Sequence, residues 1–297
     1  MRQISVLDAP SNLGLSPPIP GSVPGVYKLA WALREAGFVS RLHAVDRGVV
    51  VPPRYRPDKD GPAIRNQEAI AKYARQLAVR VTPLVRSGDL TVVLGGDCSI
   101  LLGPMVALRR MGRYGLVFVD GHSDFRHPGN AGTVGPVGAA AGEDLALVTG
   151  RGTPALTGIE GLAPYVRDED TITIGSRGDD PCRDELRANG IGLIDADECR
   201  KKGGAEIGRR VVHEMTARPA LGYWIHLDAD VLDPSILPAV DAPAAGGLTL
   251  EELGSLLREL VASPRAVGLD VTVFDPDMDE DGTQAQRLSD ALVTALS

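Results

Sequence analysis

The chain has 297 residues, 43% hydrophobic and 24% charged, with 31 Lys+Arg against 39 Asp+Glu for a net charge of −8. Its apolar fraction is too high for intrinsic disorder, and its acidic balance argues against nucleic acid or an anionic membrane surface as the main partner, since both select basic faces. No stretch approaches the ~18 uninterrupted apolar residues of a membrane span, and the opening MRQISVLDAP lacks the order of a secretion signal, so a cytoplasmic protein is expected.

In chain order, Ile4–Leu7 reads as the first strand, followed by an irregular Pro- and Gly-rich stretch, Asn12–Pro24, and a second strand at Arg41–Val45. Asn66–Arg86 is the clearest helix: Ile70, Tyr73, Leu77, Val81 and Leu84 recur at three- and four-residue steps, and Gly88 stops it. Strands are expected at Leu90–Leu94 and Gly115–Asp120, then a long loop at Gly121–Ala141, then strands at Thr171–Ile174, Gly192–Ile194, Gly222–Asp228 and Ala266–Val271. Before the last strand, Thr249 and Glu252 make a capping box for a helix over Leu250–Val261, and Gln284–Leu296 reads as the closing helix. Length alone allows two domains at about 150 residues each. The unbroken strand–helix alternation instead predicts one domain over residues 1–297, a three-layer αβα fold with a mostly parallel central sheet. The three cysteines, Cys98, Cys182 and Cys199, are too few and too unevenly placed for a disulfide framework.

In such a sheet the ligand site lies beyond the carboxyl ends of the strands. Four post-strand loops concentrate polar groups there: Leu94–Ser99 (LGGDCS), Phe118–Phe125 (FVDGHSDF), Ile225–Pro234 (IHLDADVLDP) and Gly268–Pro276 (GLDVTVFDP). Asp120, His122 and Asp124 stand two apart, as do Asp228 and Asp230, a period that sends extended side chains to one side. Four carboxylates and an imidazole brought together would repel unless a cation neutralised them. Hard oxygens with one imidazole suit divalent ions such as Mn²⁺, and four carboxylates suffice for two ions ~3.5–4 Å apart, which make a bound water a nucleophile near neutral pH.

With these loops, and with DAPSNLGL (Asp8–Leu15), ALREAGF (Ala32–Phe38) and DAPAAGGLT (Asp241–Thr249), the sequence resembles the ureohydrolase family, the arginase and agmatinase group, over nearly its whole length. The resemblance implies an arginase-like fold, a pair of Mn²⁺ ions and hydrolysis of a C–N bond. Carried over by position, its metal ligands are Cys98 (where the family has histidine), Asp120, His122, Asp124, Asp228 and Asp230. Asp120 and Asp228 would bridge, and Asp124 would also accept a hydrogen bond from the attacking hydroxide. Asp233 is read as structural. The family also implies a homo-oligomer, a trimer or hexamer.

Several positions depart from the family. Cys98 is either a thiolate ligand, which shifts preference towards Zn²⁺, Fe²⁺ or Co²⁺, or a small buried residue. Ala141 falls at the position of the family's proton-shuttling histidine. Glu143 and Asp144 beside it are candidates for acid–base work or for opening the next helix. Val273 stands where the family places a guanidinium-binding glutamate, and Asp275 either compensates or belongs to a turn. Arg126 is placed to take a carboxylate or to be a solvated loop residue, and Asp180, in Gly175–Pro181 (GSRGDDP), matches the family's contact to the substrate α-amino group. His43, His213 and His226 are expected to be satisfied structural residues.

The expected function is therefore metal-dependent hydrolysis of a small guanidino- or amidino-type substrate other than plain arginine. The rival readings are a catalytically degenerate relative that binds metal and ligand in a regulatory role, and a purely structural subunit without metal.

Overall fold

A computed structural model describes residues 2–57, 64–135 and 137–297. Pro136, within the long loop expected at Gly121–Ala141, lies outside them. Eight strands, β1 (Ile4–Asp8), β2 (Val45–Val49), β3 (Leu90–Leu94), β4 (Gly115–Val119), β5 (Thr171–Ile174), β6 (Gly192–Ile194), β7 (Tyr223–Asp228) and β8 (Ala266–Thr272), form one parallel sheet in the order β2-β1-β3-β8-β7-β4-β5-β6.

Every residue of β3, β4 and β7 is buried, as expected where helices cover both faces of a parallel sheet. Alternate residues serve opposite cores. Val117 and Val119 pack with Leu33, Ile207, Leu256 and Leu292 on one face, whereas Leu116 and Phe118 pack with Leu77, Met105 and Leu147 on the other. The helices expected from periodicity form at Gln67–Arg86, Leu250–Ala262 and Thr283–Leu296, the second with its capping box intact. Among the described residues no helix is long and apolar enough to cross a membrane.

The second strand differs from expectation: Arg41 ends a short helix, Phe38–Arg41, and the strand begins four residues later than predicted. At the sheet's edge β2 is half open to solvent, so its sequence, VDRGV, carries no apolar signature.

The sheet order sets β3, β8, β7 and β4 side by side. Their carboxyl-terminal loops, which hold most of the singled-out polar residues, therefore meet at one edge.

Candidate metal centre

After β3 the chain approaches the 9–15 loop so closely that a Cβ on Gly96 would lie 1.7 Å from the Ser11 carbonyl oxygen, which is why the turn is Gly-Gly. The buried Asp97 carboxylate then accepts from Ser11 Oγ (2.7 Å), Gly14 N (3.0 Å) and Ser99 N (2.9 Å), locking the turn that presents Cys98. Cys98 is fully buried, with Sγ 2.8 Å from Asp228 Oδ2 and 3.3 Å from Thr272 Oγ1.

The loop after β4 brings in Asp120, His122 and Asp124, the last held at φ 44° in the left-handed region. Asp120 Oδ1 accepts from His122 N at 2.6 Å, while its Oδ2 has no partner. Asp228 ends β7 and caps the turn that carries Asp230, whose Oδ1 accepts from Gly121 N (3.1 Å) and whose Oδ2 lies 2.9 Å from His122 Nδ1. Potential ligand atoms thus collect in two groups, each within 4.8 Å mutually: Asp120, His122 and Asp230 in one, Cys98, Asp228 and His226 in the other.

His226 is the surprise. Expected to be satisfied, it is fully buried in β7 with Nδ1 bonded to Asp270 and with Nε2 unpartnered. The signal was present: His226, Asp228 and Asp230 form a His-X-Asp-X-Asp series matching Asp-X-His-X-Asp in the other loop.

Electrostatics show what these groups lack. Burial, then the neighbouring Asp124, Asp230 and Asp228, pushes Asp120 well above the usual carboxylate range, and burial followed by Asp230 does the same to Asp228. Asp124 rises to about 6, chiefly from burial. The Cys98 thiol is raised by burial and then by Asp228. Asp230 moves down instead because, against the effect of burial, His122 donates to it, and that bond raises His122 to about 9. A carboxylate-rich buried cluster with orphaned acceptor atoms and an unpartnered imidazole nitrogen suits divalent cations, whose charge would reverse these penalties.

The other singled-out residues separate. Asp144 opens the Asp144–Val148 helix, one of its two alternative readings, but it is fully buried and neither carboxylate oxygen finds a donor. Burial, then the neighbouring Asp124, raises its carboxyl well above the usual range, and an oxygen of it lies 3.7 Å from His226 Nε2. Glu143 is directed elsewhere: its Oε1 accepts from Gly138 N and Ala139 N, clasping the long loop. Asp275 is also a correction. Its carboxylate accepts from Gly25 N (3.1 Å) and Asp277 N (2.9 Å), which commits it to a turn outside the cavity lining.

Arg126 and Asp180 line a cavity of about 470 Å³ together with Cys98, Asp124, Ala141 and Val273. Arg126 Nε reaches the Gly142 carbonyl at 3.2 Å, and Asp180 accepts from Ser123 N (2.8 Å) and Cys182 N (2.9 Å), fastening the β4 loop. Val273 is buried at φ 71°, a left-handed conformation that is strained for a β-branched residue, so apolar surface lies where the resemblance expects a glutamate.

Sequence reasoning also passed over the structural role of Arg177, which donates from within the protein to the carbonyls of Gly175, Asp230, Val231, Leu232 and Ala244 and ties the β5 and β7 loops together. Asp233 is structural, as expected: it accepts from Ser235, Gly246 and Gly247. His43 and His213 are exposed.

Comparison with known proteins agrees with this architecture. A family model described as the arginase family matches residues 25–297. The arginase of Bacillus caldovelox is 30% identical over 289 residues, covering 94% of this chain and 93% of the relative. The native structure of an arginase from Bacillus caldovelox superposes with a TM-score of 0.88 at 28% identity, covering 100% of this chain and 99% of that one. A formimidoylglutamase from Bacillus subtilis shares the fold, with a TM-score of 0.74 at 18% identity over 100% of this chain and 86% of its own.

Proposed function

The chain belongs to the arginase family, and from that premise we propose that it is a metal-dependent hydrolase of a C–N bond in a guanidino or amidino compound other than plain L-arginine. The observation that carries the restriction is the pair Val273 and Ala141, both lining the cavity at positions where the family resemblance calls for a guanidinium-binding carboxylate and a proton-shuttling imidazole.

Cys98, Asp120, His122, Asp124, Asp228 and Asp230 would hold two divalent ions, Mn²⁺ by resemblance or Zn²⁺, Fe²⁺ or Co²⁺ where the thiolate decides. When bound, such a pair supplies electrophilic polarisation and a nucleophile at neutral pH. Arg126 and Asp180 at the cavity wall would orient a small substrate bearing a carboxylate and an amine. Asp144, beside Asp124, remains the candidate to carry a proton towards the leaving group, since Glu143 is committed to the loop backbone. A modified guanidine, whose leaving group needs less protonation, or an amide-like bond matches a wall that offers Val273 in place of a carboxylate. A soluble cytoplasmic homo-oligomer, trimeric or hexameric, goes with this reading by resemblance.

The test is a metal-reconstituted screen of guanidino and hydroxyguanidino compounds for release of urea, hydroxyurea or ammonia. Urea release from arginine by Mn²⁺-loaded protein at ordinary rates of about 10–10³ s⁻¹ would overturn the substrate restriction. The same two residues favour a second reading, a catalytically degenerate metal-binding relative, which predicts two metal equivalents by elemental analysis and no turnover across the screen.

A further inference from the structure

We propose that His226 is a metal ligand, supplying through Nε2 the imidazole that the metal position beside Cys98 would otherwise lack, so that this position is built from Cys98, His226 and Asp228. The inference rests on the reading of the chain as a metal-dependent member of its family.

Four observations carry it. His226 is fully buried and its Nε2 has no hydrogen-bond partner, a rare state for an imidazole nitrogen that calls for an explanation. The nearby Asp144 oxygen, 3.7 Å away, is beyond hydrogen-bond reach.

Secondly, the ring is oriented as a metal-binding imidazole is. Parallel register sets Phe118, His226 and Asp270 side by side on β4, β7 and β8. Phe118 stacks on the ring with centroids 4.6 Å apart, and Nδ1 meets Asp270 Oδ2 at 2.5 Å. Trp224 Nε1 donates to the other oxygen of Asp270 at 2.5 Å. With the carboxylate accepting on both oxygens, the ring proton belongs on Nδ1 and the Nε2 lone pair is left for a cation. A carboxylate that fixes the tautomer and aim of a histidine is the usual support of an imidazole ligand.

Thirdly, the spacing suits a shared ion. One ring nitrogen of His226, Cys98 Sγ and an Asp228 oxygen lie within 4.8 Å of one another, and Nε2 is the nitrogen that Asp270 leaves free. Ligands ~2.0–2.3 Å from a tetrahedral centre stand roughly 3.3–3.8 Å apart, so small side-chain adjustments close the set.

Finally, the donor set is chemically coherent. Thiolate, imidazole and carboxylate make a softer site than one of oxygens with a single nitrogen, favouring Zn²⁺, Fe²⁺ or Co²⁺ over Mn²⁺, whereas Asp120, His122 and Asp230 keep the harder character.

The experiment compares wild type, His226→Ala and His122→Ala after loading with Co²⁺, with metal content and chelator-competition affinity as readouts. Wild type should bind two equivalents. His226→Ala should lose at least 10–100-fold in affinity at one position, the cost of even a supporting residue, and its Co²⁺ visible absorption should change while the other equivalent stays. His122→Ala should weaken the other equivalent. As a measurement needing no variant at 226, NMR of Co²⁺-loaded, histidine-labelled wild type should show strongly shifted imidazole signals from two rings, one of which His122→Ala removes. Two equivalents in wild type with unchanged affinity and absorption in His226→Ala, or shifted signals from His122 alone, overturn the proposal and leave the family reading intact. A wild type that binds no metal overturns both.

Discussion

Replacing Asp97 by alanine tests whether the turn behind Cys98 is held by one carboxylate. Two backbone N–H groups, from Gly14 and Ser99, point at Oδ1 and the Ser11 hydroxyl points at Oδ2, all within 3.0 Å and inside the protein. Truncation orphans three buried donors at ~1–3 kcal/mol each, and water entering the vacated space recovers part, so a loss of about 3–5 kcal/mol is expected. Asp97→Asn keeps Oδ1 for the two backbone donors, and Ser11 Oγ is able to reverse its role and accept from the new amide, so that variant should lose only about 1 kcal/mol. Urea unfolding followed by circular dichroism, with and without chelator, gives both numbers. Metal affinity should fall with Asp97→Ala and hold with Asp97→Asn, because Ser99 N, next to Cys98, is what the carboxylate fixes. An alanine variant within about 1 kcal/mol of wild type, or an asparagine variant as damaged as the alanine, would refute the reasoning.

Val273→Glu places a carboxylate in the cavity wall and should strengthen competitive inhibition by a simple alkylguanidine about 10–150-fold, the equivalent of ~1.5–3 kcal/mol for a charge-assisted bond; an unchanged inhibition constant counts against the apolar-wall argument. Asp233 is held near a pKa of about 2 by hydrogen bonds from Ser235 and the Gly246 and Gly247 amides, against 3.8 when unfolded. A depressed folded value contributes stability above the unfolded pKa and loses it as pH falls through the folded one, so wild type should exceed Asp233→Asn by about 1 kcal/mol at neutral pH, after discounting for solvent exposure. That gap should close as pH drops from 4 towards 2. Unfolding midpoints of both proteins at several pH values check this, and a constant gap would be the contrary result.

The spacing of residues along the chain determined much of this protein. Burial of the central strands on both faces wrote near-continuous apolar runs at Leu90–Leu94 and Gly115–Val119, and the period-two carboxylates after β4 and β7 announced a charge cluster. The edge strand Val45–Val49 escaped because solvent, which covers much of it, leaves no pattern.

What tertiary structure alone decided is where each side chain finds its partner. Glu143 and Asp144 are adjacent acids in the sequence, yet the fold points one at the Gly138 and Ala139 amides and seals the other, without a donor, against Asp124. Asp275 is spent on the Gly25 amide, contributed by a residue 250 positions away. His226 reads locally as one more strand residue. Only the register of β4, β7 and β8 brings Phe118 over its face and Asp270 to its Nδ1, leaving Nε2 unpartnered on a ring that groups with Cys98 and Asp228. Local spacing fixes which face of a strand a side chain occupies, whereas the neighbours it meets there depend on how distant strands align, and hydrogen bonds with a reach of about 3 Å are decided by that alignment.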